Sequence, residues 1–286
     1  MPISLFEAVV FGALQGVTEL FPVSSLGHSV ILPGLVGWDI KQDDPFFLTF
    51  LVATHAATAF VLFLFFWKDW KLVISGFFRS YRTRRISDDD TYAKLSWLLV
   101  VGTIPAGILG LLFEEHLKVL FAAPTLVAFV LILNGVLLYL AEILRRRRKD
   151  QSSDKMDQRV AKLTFLQALE VGTLQCLALI PGFSRTGSSI TGGLLVGLSH
   201  EDAARFSFLM ATPIIGAAAV LKLPELSLSN QQSAILPSIV GAMSSGFFAY
   251  LSVKFLTKYF KTKTLTPFAV YCALIGILAS LVFFLR

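Results

Sequence analysis

The sequence predicts an all-α polytopic membrane protein, and three observations carry that prediction. Of 286 residues, 55% are hydrophobic and 15% charged, against about 25% charged in an ordinary soluble domain, and mean hydropathy is +0.71. Charge-free apolar runs recur at the length a helix of ~20 residues needs to cross a bilayer. The cations gather between these runs, as they do in the cytoplasmic loops of membrane proteins. This composition excludes a disordered chain, a nucleic-acid-binding domain and a disulfide scaffold. The two cysteines, Cys176 and Cys272, lie in apolar sequence and are expected to be inert packing residues. No basic segment precedes the first apolar stretch, so a cleaved signal peptide is not expected.

Six crossings are expected, over 45–67, 95–113, 119–141, 206–221, 226–253 and 265–285. The span 206–221 is short and needs Arg205 and Lys222 to snorkel at its ends. Two further apolar regions, about 3–38 and 163–200, are interrupted by Pro, Gly and Ser and carry ionisable residues. Each reads as a re-entrant pair of broken helices, which survives at membrane depth only where protein or a wet cavity surrounds it. Three basic segments, 68–94, 142–162 and 254–263, then fall on one side, which the positive-inside rule makes cytoplasmic, with both termini outside. The run Arg145 to Lys149 reads as an anchor at anionic headgroups. The whole chain, 1–286, reads as a single integral membrane domain.

The broken regions resemble each other. Ala8, Gly12, Leu14 and Gln15 match Ala168, Gly172, Leu174 and Gln175 at a spacing of 160, and after one gap Pro22 and Ser25 match Pro181 and Ser184. Phe50–Thr54 matches Phe208–Thr212, and Gly107–Leu109 matches Gly276–Leu278. Halves of about 1–145 and 160–286, joined by the basic segment 142–162, would each hold one re-entrant pair and three spans. An odd number of crossings inverts one half relative to the other, an arrangement that builds central sites from broken helices.

Chemistry concentrates at the two breaks. The first reads Gln15-Gly-Val-Thr-Glu19-Leu-Phe-Pro22-Val-Ser24-Ser25-Leu-Gly27-His28. Gln15 and Glu19 share a helix face, Pro22 ends that helix, Ser24 suits the cap of the next, and Ser25 and His28 share a face at its start. An intramembrane carboxylate is costly and marks function. The alternatives are a headgroup-level Glu19 paired with a cation, and a His28 that merely packs. The second break reads Pro181-Gly-Phe-Ser184-Arg185-Thr186-Gly187-Ser188-Ser189. Hydroxyls, glycines and one arginine at a helix start suit phosphate, through free N–H groups and a planar fork of donors. Small-residue helix packing explains Gly192 and Gly193 equally well, but leaves Arg185 without an anionic partner. Glu170 is a secondary ionisable group; His55 is expected in the core and His116 in a loop.

These two segments, Gln-x-x-x-Glu with Pro-Val-Ser-Ser-x-Gly-His and Pro-Gly-Phe-Ser-Arg-Thr-Gly-Ser-Ser-Ile-Thr, resemble the signatures of the bacterial undecaprenyl-diphosphate phosphatase family of bacitracin-resistance type. With length, span pattern and Phe206–Leu209, the resemblance covers nearly the whole chain. It implies hydrolysis of undecaprenyl diphosphate to the monophosphate and inorganic phosphate, recycling the lipid carrier for peptidoglycan and other envelope polymers. It also implies a site open to the outer side of the bacterial plasma membrane. Carried over by position, Glu19, Ser25, His28 and Arg185 are the catalytic candidates. Gln15, Ser24, Ser184, Thr186, Gly187 and Ser188 are the substrate-binding ones. The family is associated with Mg2+ or Ca2+, here on Glu19 with few protein ligands; Gln15 stands at its first acidic position, which weakens a paired-carboxylate site. The nucleophile stays open between Ser25 activated by His28, His28 attacking directly, and a water activated by His28, with Glu19 orienting His28 or binding the cation. A transporter or flippase of a polyprenyl phosphate or other anion is the alternative class, since inverted repeats with broken helices also build transporters.

Overall fold

The computed structural model describes residues 3–38, 40, 44–87, 89–113, 123–145, 156–228 and 232–285. Helices α1 (Leu5–Thr18) and α2 (Ser25–Val36) form the first broken pair. Then come α3 (Pro45–Phe65), α4 (Trp67–Thr83), α5 (Thr91–Leu112), α6 (Pro124–Arg145) and the short α7 (Met156–Ala161). The second broken pair is α8 (Phe165–Gln175), closed by a tight turn at Cys176–Leu179, and α9 (Arg185–Leu195). Last are α10 (His200–Leu228), α11 (Gln232–Tyr259) and α12 (Thr266–Phe284). Among the described residues, six helices are long and apolar enough to cross a membrane: α3, α5, α6, α10, α11 and α12. This is an all-α polytopic membrane protein.

Several bounds differ from the expectation. Residues 226–228, expected to open the fifth span, end α10 instead, which runs on through Pro213, Gly216 and Pro224. The expected start near Val119 lies outside the described residues, as do His116 and Arg146 to Lys149. Arg205 does not snorkel at a span end: it sits inside α10, with Nη2 at 2.7 Å from Asp69 Oδ1 and 2.7 Å from Asp157 Oδ1. The basic segment 68–94 contains a helix, α4, which buries Trp70, Val73, Gly76 and Ser80 at helical spacing and turns Lys68, Lys71 and Arg82 outward.

Ion pairs gather the basic segments onto one face. Arg205 joins α10 to α4 and α7; Arg159 of α7 holds Asp202 through two bonds of 2.7 and 2.9 Å; Lys261 lies 3.7 Å from Glu201. Three chain segments distant in sequence thus end at one level.

The two broken pairs have similar local structure. Ser4 and Glu7 form a reciprocal capping box at the start of α1, and Thr164 and Gln167 form one at the start of α8. Helix α1 packs along α11 and α8 along α5, each contact so close that a glycine is required. A Cβ on Gly12 would stand 2.3 Å from Gly241 O, and one on Gly172 would stand 2.2 Å from Gly102 O. Small residues let helix backbones meet where burial against lipid gives little driving force.

Gly172→Leu should therefore push α8 off α5, costing about 1–3 kcal/mol as overpacking, and lower the thermal unfolding midpoint in detergent by several degrees. Gly107→Ala, at a helical glycine whose added Cβ meets nothing within 4 Å, should leave the midpoint unchanged or raise it.

Candidate functional site

Each broken pair turns back before it has crossed, and each turn opens a new helix under a serine cap. Ser24 Oγ accepts from Gly27 N–H at 3.1 Å, and Ser184 Oγ accepts from Gly187 N–H at 3.0 Å. These caps make Ser24 the counterpart of Ser184, one position from the pairing of Ser25 with Ser184 that the sequence suggests. The tips face each other: an added Cβ on Gly27 would lie 3.1 Å from Gly182 Cα, and one on Gly187 would lie 3.3 Å from Pro22 Cβ. Two helix N-termini, with their positive dipole ends, therefore converge. Helix α9 is 11 residues long, about 16 Å at 1.5 Å per residue, and its other end meets the basic face. The tips thus lie near the middle of a hydrocarbon layer of about 30 Å.

Glu19, the C-cap of α1, stands at the centre and is buried. Its Oε1 accepts from Arg185 Nε and Nη2, both at 3.1 Å. Its Oε2 accepts from Ser25 Oγ at 2.6 Å and from Gln15 Nε2 at 3.2 Å. His55 Nε2 lies 3.3 Å from the same oxygen, while His55 Nδ1 lies 2.7 Å from the Leu51 carbonyl. Both partners of His55 are acceptors, so the ring satisfies both only with a proton on each nitrogen. Arg185 also donates to Thr186 Oγ1 at 3.1 Å, and Thr186 Oγ1 donates to the Glu19 carbonyl at 2.8 Å. The arginine the sequence left in need of an anion has its anion in the other broken pair.

His28 is placed differently from the expectation. Its Nδ1 lies 2.7 Å from the Ser24 carbonyl, which fixes the proton on Nδ1, and its Nε2 lies 2.9 Å from the Tyr271 hydroxyl. Neither ring nitrogen is bonded to Ser25 or Glu19; the ring lies one turn beyond Ser25, stacked on Tyr271. The hydroxyl of Ser25 is oriented by Glu19, not by His28, and Glu19 orients Arg185 and His55 instead of His28. Ser24, Ser184 and Gly187 are bound up in the caps. Ser188 is fully buried, with an unpaired Oγ among the described atoms. Glu170 lies on the exposed side of α8.

Three residues escaped the sequence reading. His55, expected in the core, is a ligand of Glu19; an imidazole in the middle of an otherwise charge-free span was the available signal. Asn134 of α6 bonds both breaks at once: its Oδ1 accepts from Ser184 N–H at 3.0 Å, and its Nδ2 donates to the Pro22 carbonyl at 3.1 Å. A lone amide in an apolar span was its signal. Tyr271 had none, since tyrosine in a span is common near an interface.

The donor set also bears on a cation. Among the described residues no three His, Cys, Asp or Glu side chains cluster as a metal cage. Gln15 turns its amide nitrogen, not Oε1, toward Glu19, so among the described residues Glu19 is the one carboxylate here for a hard cation, whose remaining ligands would come from phosphate or water. Glu19 is thus flanked by the Arg185 guanidinium and the His55 imidazole.

Asn134→Leu should leave the Ser184 N–H buried without its partner, at about 1–3 kcal/mol, and the Pro22 carbonyl with only the long 3.9 Å contact from the Cys272 thiol. The thermal midpoint in detergent should drop by several degrees; an unchanged midpoint would mean that the breaks are held together by other contacts.

Known proteins match this sequence over nearly all of its length. A family model described as bacitracin resistance protein BacA matches residues 8–278. A protein named undecaprenyl-diphosphatase from Mycolicibacterium paratuberculosis is 48% identical over 96% of this chain and 95% of its own length. One of the same name from Mycobacterium avium is likewise 48% identical over 96% and 95%. Undecaprenyl-diphosphatase 2 from Frankia alni is 40% identical over 98% of each. The matched span takes in both breaks and every helix from α2 to α11, and on that ground the chain belongs to the bacitracin resistance protein BacA family.

Proposed function

We propose that the protein is a membrane phosphatase that hydrolyses undecaprenyl diphosphate to undecaprenyl phosphate and inorganic phosphate. The single observation that carries this reading is the shared carboxylate: Glu19 holds Ser25 Oγ at 2.6 Å on one oxygen and the Arg185 fork on the other. A phosphate-binding cation and a poised hydroxyl thus meet on one general base, between two helix tips that favour anions. The names of the close relatives support the same substrate.

In this mechanism the terminal phosphate draws Arg185 away from Glu19 and also engages the N–H groups at the α9 tip. Ser25 Oγ attacks the terminal phosphorus and passes its proton to Glu19, which is within hydrogen-bond reach. The bond from that phosphorus to the bridging oxygen breaks, and undecaprenyl phosphate leaves with the electron pair. Water then attacks the phosphoserine, giving its proton to His28 Nε2, the lone pair that Tyr271 holds at rest; the bond from phosphorus to Ser25 Oγ breaks, Glu19 returns its proton to that oxygen, and inorganic phosphate is released. His55 keeps Glu19 oriented. Mg2+ or Ca2+, where bound, would be held by Glu19 and would neutralise diphosphate charge.

The reading extends to the setting. Two halves of about 1–145 and 160–286, inverted and joined by residues 142–162, account for the paired capping boxes and the paired glycine contacts. With the basic face in the cytoplasm, the site of a bacterial inner-membrane enzyme would open outward, where the spent lipid carrier appears. Its recycling would serve peptidoglycan synthesis and confer bacitracin resistance.

Purified protein in detergent micelles, where no second compartment exists, should release phosphate from undecaprenyl diphosphate; flux in vesicles without release in micelles would favour a transporter. Glu19→Gln, Ser25→Ala and Arg185→Ala should each lower kcat by about two orders of magnitude or more while the thermal midpoint shows the chain still folded. A labelled phosphoenzyme that accumulates in His28→Ala and is absent in Ser25→Ala would identify the serine as nucleophile; trapping that persists in Ser25→Ala would exclude it.

A further inference from the structure

Helix α4 is joined to the rest of the molecule at two places, and together they fix its direction. In its first turn Asp69 meets Arg205, in the second turn of α10, at 2.7 Å. Farther along, a Cβ on Gly76 would stand 2.6 Å from Ala93 N. Phe77 packs on Trp97 with ring centres 5.0 Å apart, and Ser80 Oγ accepts from Trp97 Nε1 at 2.9 Å. Ala93 and Trp97 lie in the first two turns of α5. From Asp69 to Phe77 a helix covers about 12 Å, close to the spacing of about 8–10 Å between packed helix axes. Helix α4 therefore crosses α10 and α5 at their basic ends and runs along neither. A helix so placed lies in the plane of the bilayer surface, and its sequence suits that plane. Trp67, Lys71, Ile74, Phe78 and Tyr81 are exposed along one stripe, flanked by exposed Lys68 and Arg82, the pattern of helices that rest at a headgroup layer.

Where α4 ends there is a cavity of about 650 Å³, lined by Arg82, Arg84 and Arg85 together with Tyr81, Ile86 and Trp97. Among the described residues its lining holds no carboxylate. Asp69 and Asp157 are both on Arg205, and Asp90 is held by Arg79 through bonds of 2.6 and 2.7 Å. Asp89 is exposed nearby, and Asp88 lies outside the described residues. Setting both of these against the three arginines still leaves the turn positive. The pairing of Arg79 with Asp90 pins that turn. Arg84, at φ 52° and ψ 28°, adopts a left-handed conformation that is uncommon for a residue with a side chain, and so brings Arg85 and Ile86 back beside Tyr81 and Trp97. A helix C-terminus favours cations only within its last turn; Arg82 meets that need, and Arg84 and Arg85 lie past it.

We infer that this cavity binds the phosphodiester headgroup of an anionic lipid, in the leaflet that the basic face meets. Guanidinium forks match phosphate oxygens, and charge-assisted hydrogen bonds of this kind are the strong ones. A headgroup held by Arg82 and Arg85 leaves its acyl chains beside the exposed stripe through Phe78 and Ile74. Free phosphate gains nothing from that stripe, which is why a lipid is the occupant. Basic segments at this depth attract acidic headgroups in general; here a concave wall on a fixed turn makes one position preferred. A lipid in place ties the α4–α5 turn to the membrane surface. The inference rests on the placement of α4 and not on the reaction at Glu19.

The test uses the full-length protein, delipidated in a neutral detergent and titrated with phosphatidylglycerol or phosphatidylcholine, with bound lipid counted by native mass spectrometry. Arg82→Gln/Arg85→Gln removes two cations of the cavity. Lys254→Gln/Lys258→Gln, at the basic end of α11, removes two from the same face outside it. The parent should bind phosphatidylglycerol in preference to phosphatidylcholine. Its affinity for phosphatidylglycerol should fall about tenfold or more in the arginine variant and stay near the parent value in the lysine variant. The thermal midpoint in detergent reads the fold. If the double variant loses it, Arg85→Gln alone, outside α4, should show a smaller loss of affinity in the same direction. No preference in the parent, equal loss in the two double variants, or affinity undiminished in a folded arginine variant overturns the inference. Displacement of the lipid by millimolar inorganic phosphate also overturns it, because the site would then recognise the free anion.

Discussion

The pairing of Glu19 with Arg185 is the constraint on which the site rests. Each is an ion held in apolar surroundings, and Arg185 without Glu19 would be a buried charge without a carboxylate to compensate it. Since they come from different broken pairs, the pair also dictates where the two turns meet. Thr186 repeats the link one residue on, by bonding the backbone carbonyl of Glu19 itself. A carboxylate saturated with donors in the resting protein has a further effect on the proposed reaction: phosphate would compete for donors that are already oriented, and recognition would be an exchange between two anions for one guanidinium.

Much of this was legible in the chain. The spans follow from apolar length, and both breaks follow from Pro, Gly and Ser within otherwise apolar sequence. Glu19, Ser25 and Arg185 announced themselves as polar groups in a region where polarity is expensive. What failed was inference across distance. Ser25 and His28 share a helix face, so spacing suggested that they were partners; in three dimensions Ser25 turns to a carboxylate six residues back, and His28 to a tyrosine 243 residues on. His55 looked like core because its partner is not in its own helix. Helix α4 was missed for the opposite reason: its charges masked an amphipathic stripe that a search for charge-free runs passes over.

The basic face has its own order, and it is not merely a collection of loops. Arg205 takes carboxylates from α4 and α7, and Glu142 takes His200 and the backbone ahead of α12. Helices α6 and α9 run from this face to the broken tips, so the level at which phosphate chemistry is set and the level at which cations collect are fixed relative to each other by about three helical turns.

Asn134 has a consequence for motion. One planar amide grips a carbonyl of the first turn and an N–H of the second, adding a rigid link to the Glu19–Arg185 pair that already joins them. Alternating-access carriers work by letting such elements slide past one another; here that slide would first have to strip two bonds from a side chain sealed away from solvent. The crossing point is thereby tied down from several sides, and on the proposed function the opening that admits an isoprenoid tail would lie among the outer helices around it.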